Sequence, residues 1–161
     1  MTVTDVQKDP GTMTMTITTA FDAPVDQVWR VWSDPRLLER WWGPPTYPAT
    51  FVEHDLTPGS FATYFMTGPE GDKPQGWWRV VAVDAPHSLE VEDGFGDEPG
   101  NAAGMPVTQM RVRLADRPGG GTIMTIESTF PSREAMEQMI TMGMEEGMKE
   151  AMGQIEGVLA G

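Results

Sequence analysis

The chain has 161 residues, no cysteine and a formal net charge of −13. Disulfides and thiolate chemistry are therefore excluded, and so large an acidic excess repels nucleic-acid phosphates and anionic membrane surfaces. Hydrophobic residues make up 39% of the chain, enough for one domain with a sizeable core.

Met1 to Pro10 is polar and lacks the apolar stretch of a signal peptide, so residues 1–10 read as a flexible tail and 11–161 as a single domain. No apolar run approaches membrane-spanning length, and a soluble cytoplasmic protein is the expectation. Thr12 to Phe21 alternates Thr with Met13, Met15 and Ile17, a strand signal. Pro24 suits the first turn of a helix. Val25, Val28, Trp29 and Trp32 then fall at i, i+3, i+4 and i+7 and give it one apolar face. Asp34 is placed to cap a second short helix with Pro35 at its first position. Leu38, Trp41 and Trp42 continue that pattern until Gly43-Pro44-Pro45 stops it.

Pro48 to Leu56 reads as a strand with Val52, His54 and Leu56 on one face and Glu53 and Asp55 on the other. Thr57-Pro58-Gly59-Ser60 is a turn. Phe61 to Met66 is the next strand; Gly76 to Val83 and Ser88 to Asp93 form a hairpin. Gly94 to Pro106 is a Gly/Pro/Asn-rich loop. Val107 to Leu114 and Thr122 to Phe130 form the last hairpin. From Pro131 to Leu159 a helical period carries Met136, Ile140, Met144, Met148, Ile155 and Leu159, with Ser132 as N-cap. Gly143 and Gly147 lie beside that stripe. Each costs about 1 kcal/mol relative to alanine inside a helix. They imply either close approach of the sheet or a ligand, or a bent helix.

Strand, helix pair, six strands and a long helix make an α+β arrangement, an antiparallel sheet with helices on one face. The helix pair with its Trp41-Trp42-Gly43-Pro44 end, and Phe130-Pro131-Ser132 followed by the Gly143-Met-Glu-Glu-Gly147 helix, resemble the SRPBCC or START-like superfamily. The nearest branch is the one related to the activator of the heat-shock protein 90 ATPase. The resemblance covers nearly everything from residue 12 onward, and the middle strands match by pattern alone. It implies a helix-grip fold: a curved antiparallel sheet of about seven strands around a long C-terminal helix, with a cavity between them.

Chemistry-bearing motifs are scarce. His54 and His87 stand apart, with no clustered carboxylates and no metal spacing. Gly119-Gly120-Gly121 lies between strands and opens no helix, so it is a turn rather than a phosphate loop. No GxSxG elbow is present. No catalytic residue, metal or cofactor is assigned. Strand phase faces His54 toward the expected cavity, where relatives tend to carry an apolar residue. There it serves either as a hydrogen-bonding or proton-transfer group, or simply as a histidine tied to a backbone carbonyl or left at the rim. The resemblance favours Tyr64 and Met66 inward, and a buried Tyr hydroxyl wants a partner. If Arg79 points to solvent, Trp78, Val80 and Ala82 point in and Trp77, Val81 and Val83 out. That outer stripe is either a homodimer surface or covered by the chain. Trp42 closes the cavity mouth or packs as core. Among the thirteen methionines, Met110, Met124, Met136, Met139, Met144 and Met148 fall on inward faces, as core or as an adaptable pocket lining.

The ligand-binding set expected from this reading is Trp42, His54, Tyr64, Met66, Trp78, Met110, Met139 and Gly143. The leading function is binding of a small apolar or aromatic molecule between sheet and helix. A cyclase- or aromatase-like enzyme acting on a polyketide-type substrate is the alternative that the superfamily implies, with His54, Tyr64, Glu127 and Arg111 as the available acid–base groups. Strand phase puts Glu127 and Arg111 outside. A co-chaperone is the third class, and it has less support because the known activator carries an additional N-terminal domain. No nucleic-acid or membrane partner is expected.

Overall fold

The computed structural model describes residues 3–98, 100 and 106–160. Eight strands form one antiparallel sheet in the order β1-β2-β8-β7-β6-β5-β4-β3. They are β1 (Val3–Asp9), β2 (Thr14–Phe21), β3 (Ala49–His54), β4 (Phe61–Met66), β5 (Gln75–Asp84), β6 (Ser88–Phe95), β7 (Thr108–Asp116) and β8 (Thr122–Thr129). The helices are α1 (Val25–Ser33) and α2 (Pro35–Leu38), and then α3 (Arg133–Thr141), α4 (Met144–Met152) and α5 (Ile155–Ala160). Part of the loop expected over Gly94 to Pro106 lies outside the described residues.

Two expectations are corrected. The segment read as a tail is an edge strand: Val6 lies opposite Ile17 and Asp9 opposite Thr14, in antiparallel pairing with β2. This is the strand beyond the seven expected. It was hard to read because an edge strand needs few apolar residues. The single long C-terminal helix is three helices. Its first break falls at Gly143, whose φ of 96° is left-handed, a conformation that glycine adopts at no steric cost. The apolar period runs on across the break, which is why the sequence reads as one helix.

The local signals that did hold are easy to follow. The Asp34 side chain accepts from the Arg36 backbone N–H at 2.9 Å with Pro35 following it, and Ser132 Oγ accepts from Ala135 N–H at 3.0 Å. Alternation in β2, β7 and β8 sends Met15, Ile17, Met110, Val112, Met124 and Ile126 to one face. Helix α1 packs over β7 and α5 with Val28, Trp29 and Trp32. Trp78 belongs to this core, whereas Trp77 lies on the other face. There Trp77 is covered by the chain: its indole lies across Gly94 of β6, where an added Cβ would come within 2.2 Å of the ring, and its N–H donates to the Phe95 carbonyl oxygen at 3.2 Å.

Candidate functional site

The site is built outward from a tryptophan cluster. Trp32 on α1 meets Trp41 edge-on at 4.7 Å between centroids, and Trp42 meets Trp78 edge-on at 4.9 Å. Two polar contacts fix the cluster: Trp41 N–H donates to the Val31 carbonyl oxygen at 2.9 Å, and Trp32 N–H lies 3.4 Å from the Met124 sulfur. Gln154, between α4 and α5, donates to the Gly43 carbonyl oxygen at 2.7 Å, so the far end of the helical layer is tied to the end of the tryptophan segment.

Beyond Trp42 the layer does not close on the sheet. A cavity of about 250 Å³ lies between β4, β6 and the α3–α4 junction, and Trp42, Tyr64, Met66, Phe95, Met139 and Met148 are among its walls. The break at Gly143 borders it. Gly147 borders it too, and an added Cβ there would meet no atom within 4 Å. The two glycines thus leave open space, not the close backbone approach that was one expectation.

The polar groups of the cavity are Tyr64 and Asp93. The Tyr64 ring lies over Gly76 across the strand pair, where an added Cβ would come within 2.5 Å of the phenol. Its hydroxyl donates to Asp93 Oδ1 at 3.3 Å. Burial, and then the negative charge of Asp93, hold the Tyr64 hydroxyl well above its ordinary pKa. Burial pushes the Asp93 carboxyl up to about 7, against a smaller opposing effect of the Tyr64 hydrogen bond. The buried Trp42 N–H makes no well-formed hydrogen bond but lies beside the Tyr64 hydroxyl and favours the phenol's charged form. A carboxyl pushed toward neutrality beside a largely apolar cleft has the property of an acid–base or charge-recognition group.

Of the expected ligand-binding set, Trp42, Tyr64, Met66, Met139 and Gly143 meet at this cavity; His54, Trp78 and Met110 do not. Trp78 and Met110 face inward as read, but both are core side chains: Trp78 is covered by Trp42, Trp32 and Phe51. Strand phase predicts a face, not the depth beneath the neighbouring layer. A bulge in β3 between Phe51 and Glu53 leaves Val52 68% exposed rather than on the inner face, while His54, opposite the buried Ala62, faces inward as read but lies under α1 and away from the cavity. Its Nε2–H donates to the Trp32 carbonyl oxygen at 3.1 Å, the backbone-tied alternative weighed from sequence. Asp93 was missed. The signal was present: Leu89, Val91, Asp93 and Phe95 alternate, so the aspartate occupies a core-facing phase.

His54 still has a measurable consequence. Burial lowers its pKa from 6.5, and the carbonyl contact only partly opposes this. Protonation is thus harder in the folded than in the unfolded chain. The resulting destabilisation is absent well above pH 6.5 and develops as pH falls through 6.5 toward the folded value. Urea titrations at pH 7.5 and 5.5 should show wild type losing more stability than His54→Leu on acidification. Equal losses would mean the imidazole is solvated.

Glu127 and Arg111 lie on the outer face, and Arg111 pairs with Glu90 at 3.2 Å. Among the described residues no group of three or more His, Asp or Glu is placed to hold a metal ion, and no helix is long and apolar enough to cross a membrane.

An antiparallel sheet gripping a C-terminal helical layer, with a cavity between them, defines a helix-grip container. The profile of the activator of Hsp90 ATPase homolog 1-like proteins matches residues 22–160, and the chain belongs to that family. No curated protein matches it. Among solved structures, protein Ms6760 from Mycobacterium smegmatis is 47% identical, with a TM-score of 0.88 over 98% of this chain and 96% of that one. A protein from Arthrobacter aurescens is 50% identical, with a TM-score of 0.91 over 97% and 91%. DynU16, described as a putative protein in the dynemicin biosynthetic locus, shares the fold at 20% identity, with a TM-score of 0.63 over 89% of this chain and 47% of that one.

Proposed function

We propose that this protein binds a small apolar or aromatic molecule in the cavity between the sheet and the α3–α4 junction. The observation that carries this reading is an apolar cleft with one convergent polar pair, Tyr64 and Asp93, the usual composition of a small-molecule site. The methionine walls suit ligands of varied outline. A cyclase-like activity is the second reading. It draws support from the same pair, since a carboxyl titrating at about 7 is suited to proton transfer, and DynU16 belongs to a biosynthetic locus.

Gly147→Phe tests the binding reading. Gly147 has an ordinary helical conformation and no neighbour within 4 Å of an added Cβ, so the ring has room to enter the cavity without strain. Replacing a helix-interior glycine with phenylalanine also favours the helix by roughly a few tenths of a kcal/mol. Phenylbutylamine, phenylbutanol and phenylbutyrate should be titrated against wild type and variant, with tryptophan fluorescence as the readout. Saturable binding of at least one probe by wild type, lost in a variant of unchanged or higher melting temperature, is expected. If wild type binds none of the three, the binding reading fails. Turnover that disappears in Tyr64→Phe or Asp93→Asn would favour the enzyme reading instead.

A further inference from the structure

We propose that the cavity is selective for a cationic amine carried on an apolar body, with the Asp93 carboxylate as its counter-ion. This rests on the binding reading above and deepens it. Asp93 lines the cavity beside Tyr64. Its Oδ1 accepts from Tyr64, and no lysine, arginine or histidine among the described residues stands within ion-pair distance. The cavity walls hold no basic side chain, and Tyr64 is their other titratable group. Elsewhere on the sheet this protein pairs its carboxylates with arginines, as in Arg79–Glu92 and Arg111–Glu90. Asp93 is the inward-facing carboxylate that lacks such a partner.

A carboxylate removed from water without a cation is costly, and the cost is offset when a cation arrives. The Tyr64 proton is committed to Oδ1, and the adjacent Trp42 N–H favours that polarity. Oδ2 is left to accept from a ligand N–H, a charge-assisted bond. Trp42, Tyr64 and Phe95 contribute aromatic walls, which attract a cation through their ring faces, while the methionines receive the apolar body. A ligand carboxylate would meet Asp93 with like charge and no compensating base. The net charge of −13 acts in the same direction at longer range and concentrates cations around the protein.

Phenylbutylamine, phenylbutanol and phenylbutyrate share one apolar body and differ at the head group. In wild type at pH 8, phenylbutylamine is expected to bind at least tenfold tighter than phenylbutanol, and phenylbutyrate weakest of the three. Its affinity should rise about tenfold per pH unit up to about 7, where Asp93 becomes ionised, and then level off; phenylbutanol should show no such rise. Asp93→Asn keeps an acceptor for Tyr64 and removes the charge. It should erase the amine preference and the pH slope in a protein whose melting temperature at pH 8 is at or above that of wild type. Phenylbutanol or phenylbutyrate binding as tightly as the amine overturns the proposal while leaving the binding reading intact. So does an amine preference that persists in Asp93→Asn. Absence of binding by all three overturns the binding reading itself.

Discussion

Replacing Trp32 with alanine is expected to unfold the protein or bring it close to unfolding. The side chain is fully buried, sits edge-on to Trp41 and Trp42, and lies near Trp78. Truncation removes the largest kind of core side chain and leaves a void walled by other rigid rings, which collapse poorly. Phe- or Trp-to-Ala changes in cores cost about 3–5 kcal/mol, and the upper end applies where relaxation is restricted. Here the Met124 sulfur also loses its N–H neighbour. Against a typical domain stability of about 5–15 kcal/mol, such a loss is a large share of the total. Chemical denaturation should show a collapsed midpoint or no cooperative transition. A midpoint near that of wild type would mean that the α1 cluster is peripheral to stability. Trp32→Phe, which keeps an aromatic ring in the site, should recover more than half of the loss.

Asp93→Asn is expected to act in the opposite direction and to stabilise the protein, by an amount that grows as pH rises from about 4 and is complete above 7. The folded carboxyl titrates at about 7 and the unfolded one near 3.8, so the folded state holds its proton more tightly. Below pH 3.8 both states are protonated and the residue imposes no ionic cost. As pH rises from 3.8 to 7 the unfolded chain ionises first, and stability falls; above 7 the loss is complete. Asparagine has no charge to bury and still accepts from Tyr64. At pH 8 it should raise stability on the order of 2–4 kcal/mol, after allowance for the water that reaches the cavity. At pH 4 the two proteins should be nearly alike. Paired urea titrations at those pH values check both. A variant less stable than wild type at pH 8 would mean that Asp93 is held charged by the fold. The sign is opposite to that of His54, so the two substitutions separate the acidic and neutral limbs of the stability profile.

Much of the architecture could be read from residue spacing because its signals were local. Pro24, the Asp34–Pro35 start and Ser132 each report a helix beginning within a few residues. Clean alternation in β7 and β8 reports a face directly. The family resemblance supplied what spacing could not, the sheet-and-helix grip and the cavity between. The site was only half legible, for three physical reasons. A bulge resets strand phase without a reliable mark in sequence, which misplaced Val52 and left His54 inward but under α1, away from the cavity. Depth under a second layer depends on tertiary packing, which misplaced Trp78 and Met110. And an isolated aspartate late in a strand looks like a strand end, which hid Asp93 although Phe95 two residues on continues the inward face.

The division of the C-terminal layer into three helices changes its mechanics. A continuous helix is a lever, and pushing its middle drags both ends. Here α3 is seated by Met136 and Met139, α5 by Ile155 and Val158, and Gln154 pins the second joint to Gly43. Between them, α4 spans only nine residues, carries three cavity-lining positions, Met144, Gly147 and Met148, and is seated at its C-terminal end by Ala151 and Met152. On its other side Glu145 holds Lys8 of the edge strand at 2.6 Å, an exposed contact of modest strength. The left-handed residue at Gly143 changes the direction of the layer where it passes the cavity, while Ala151 and Met152 return it to the core. The space beside Trp42 and Tyr64 is thus a product of where the helical layer is broken, and its outline follows from the placing of one glycine.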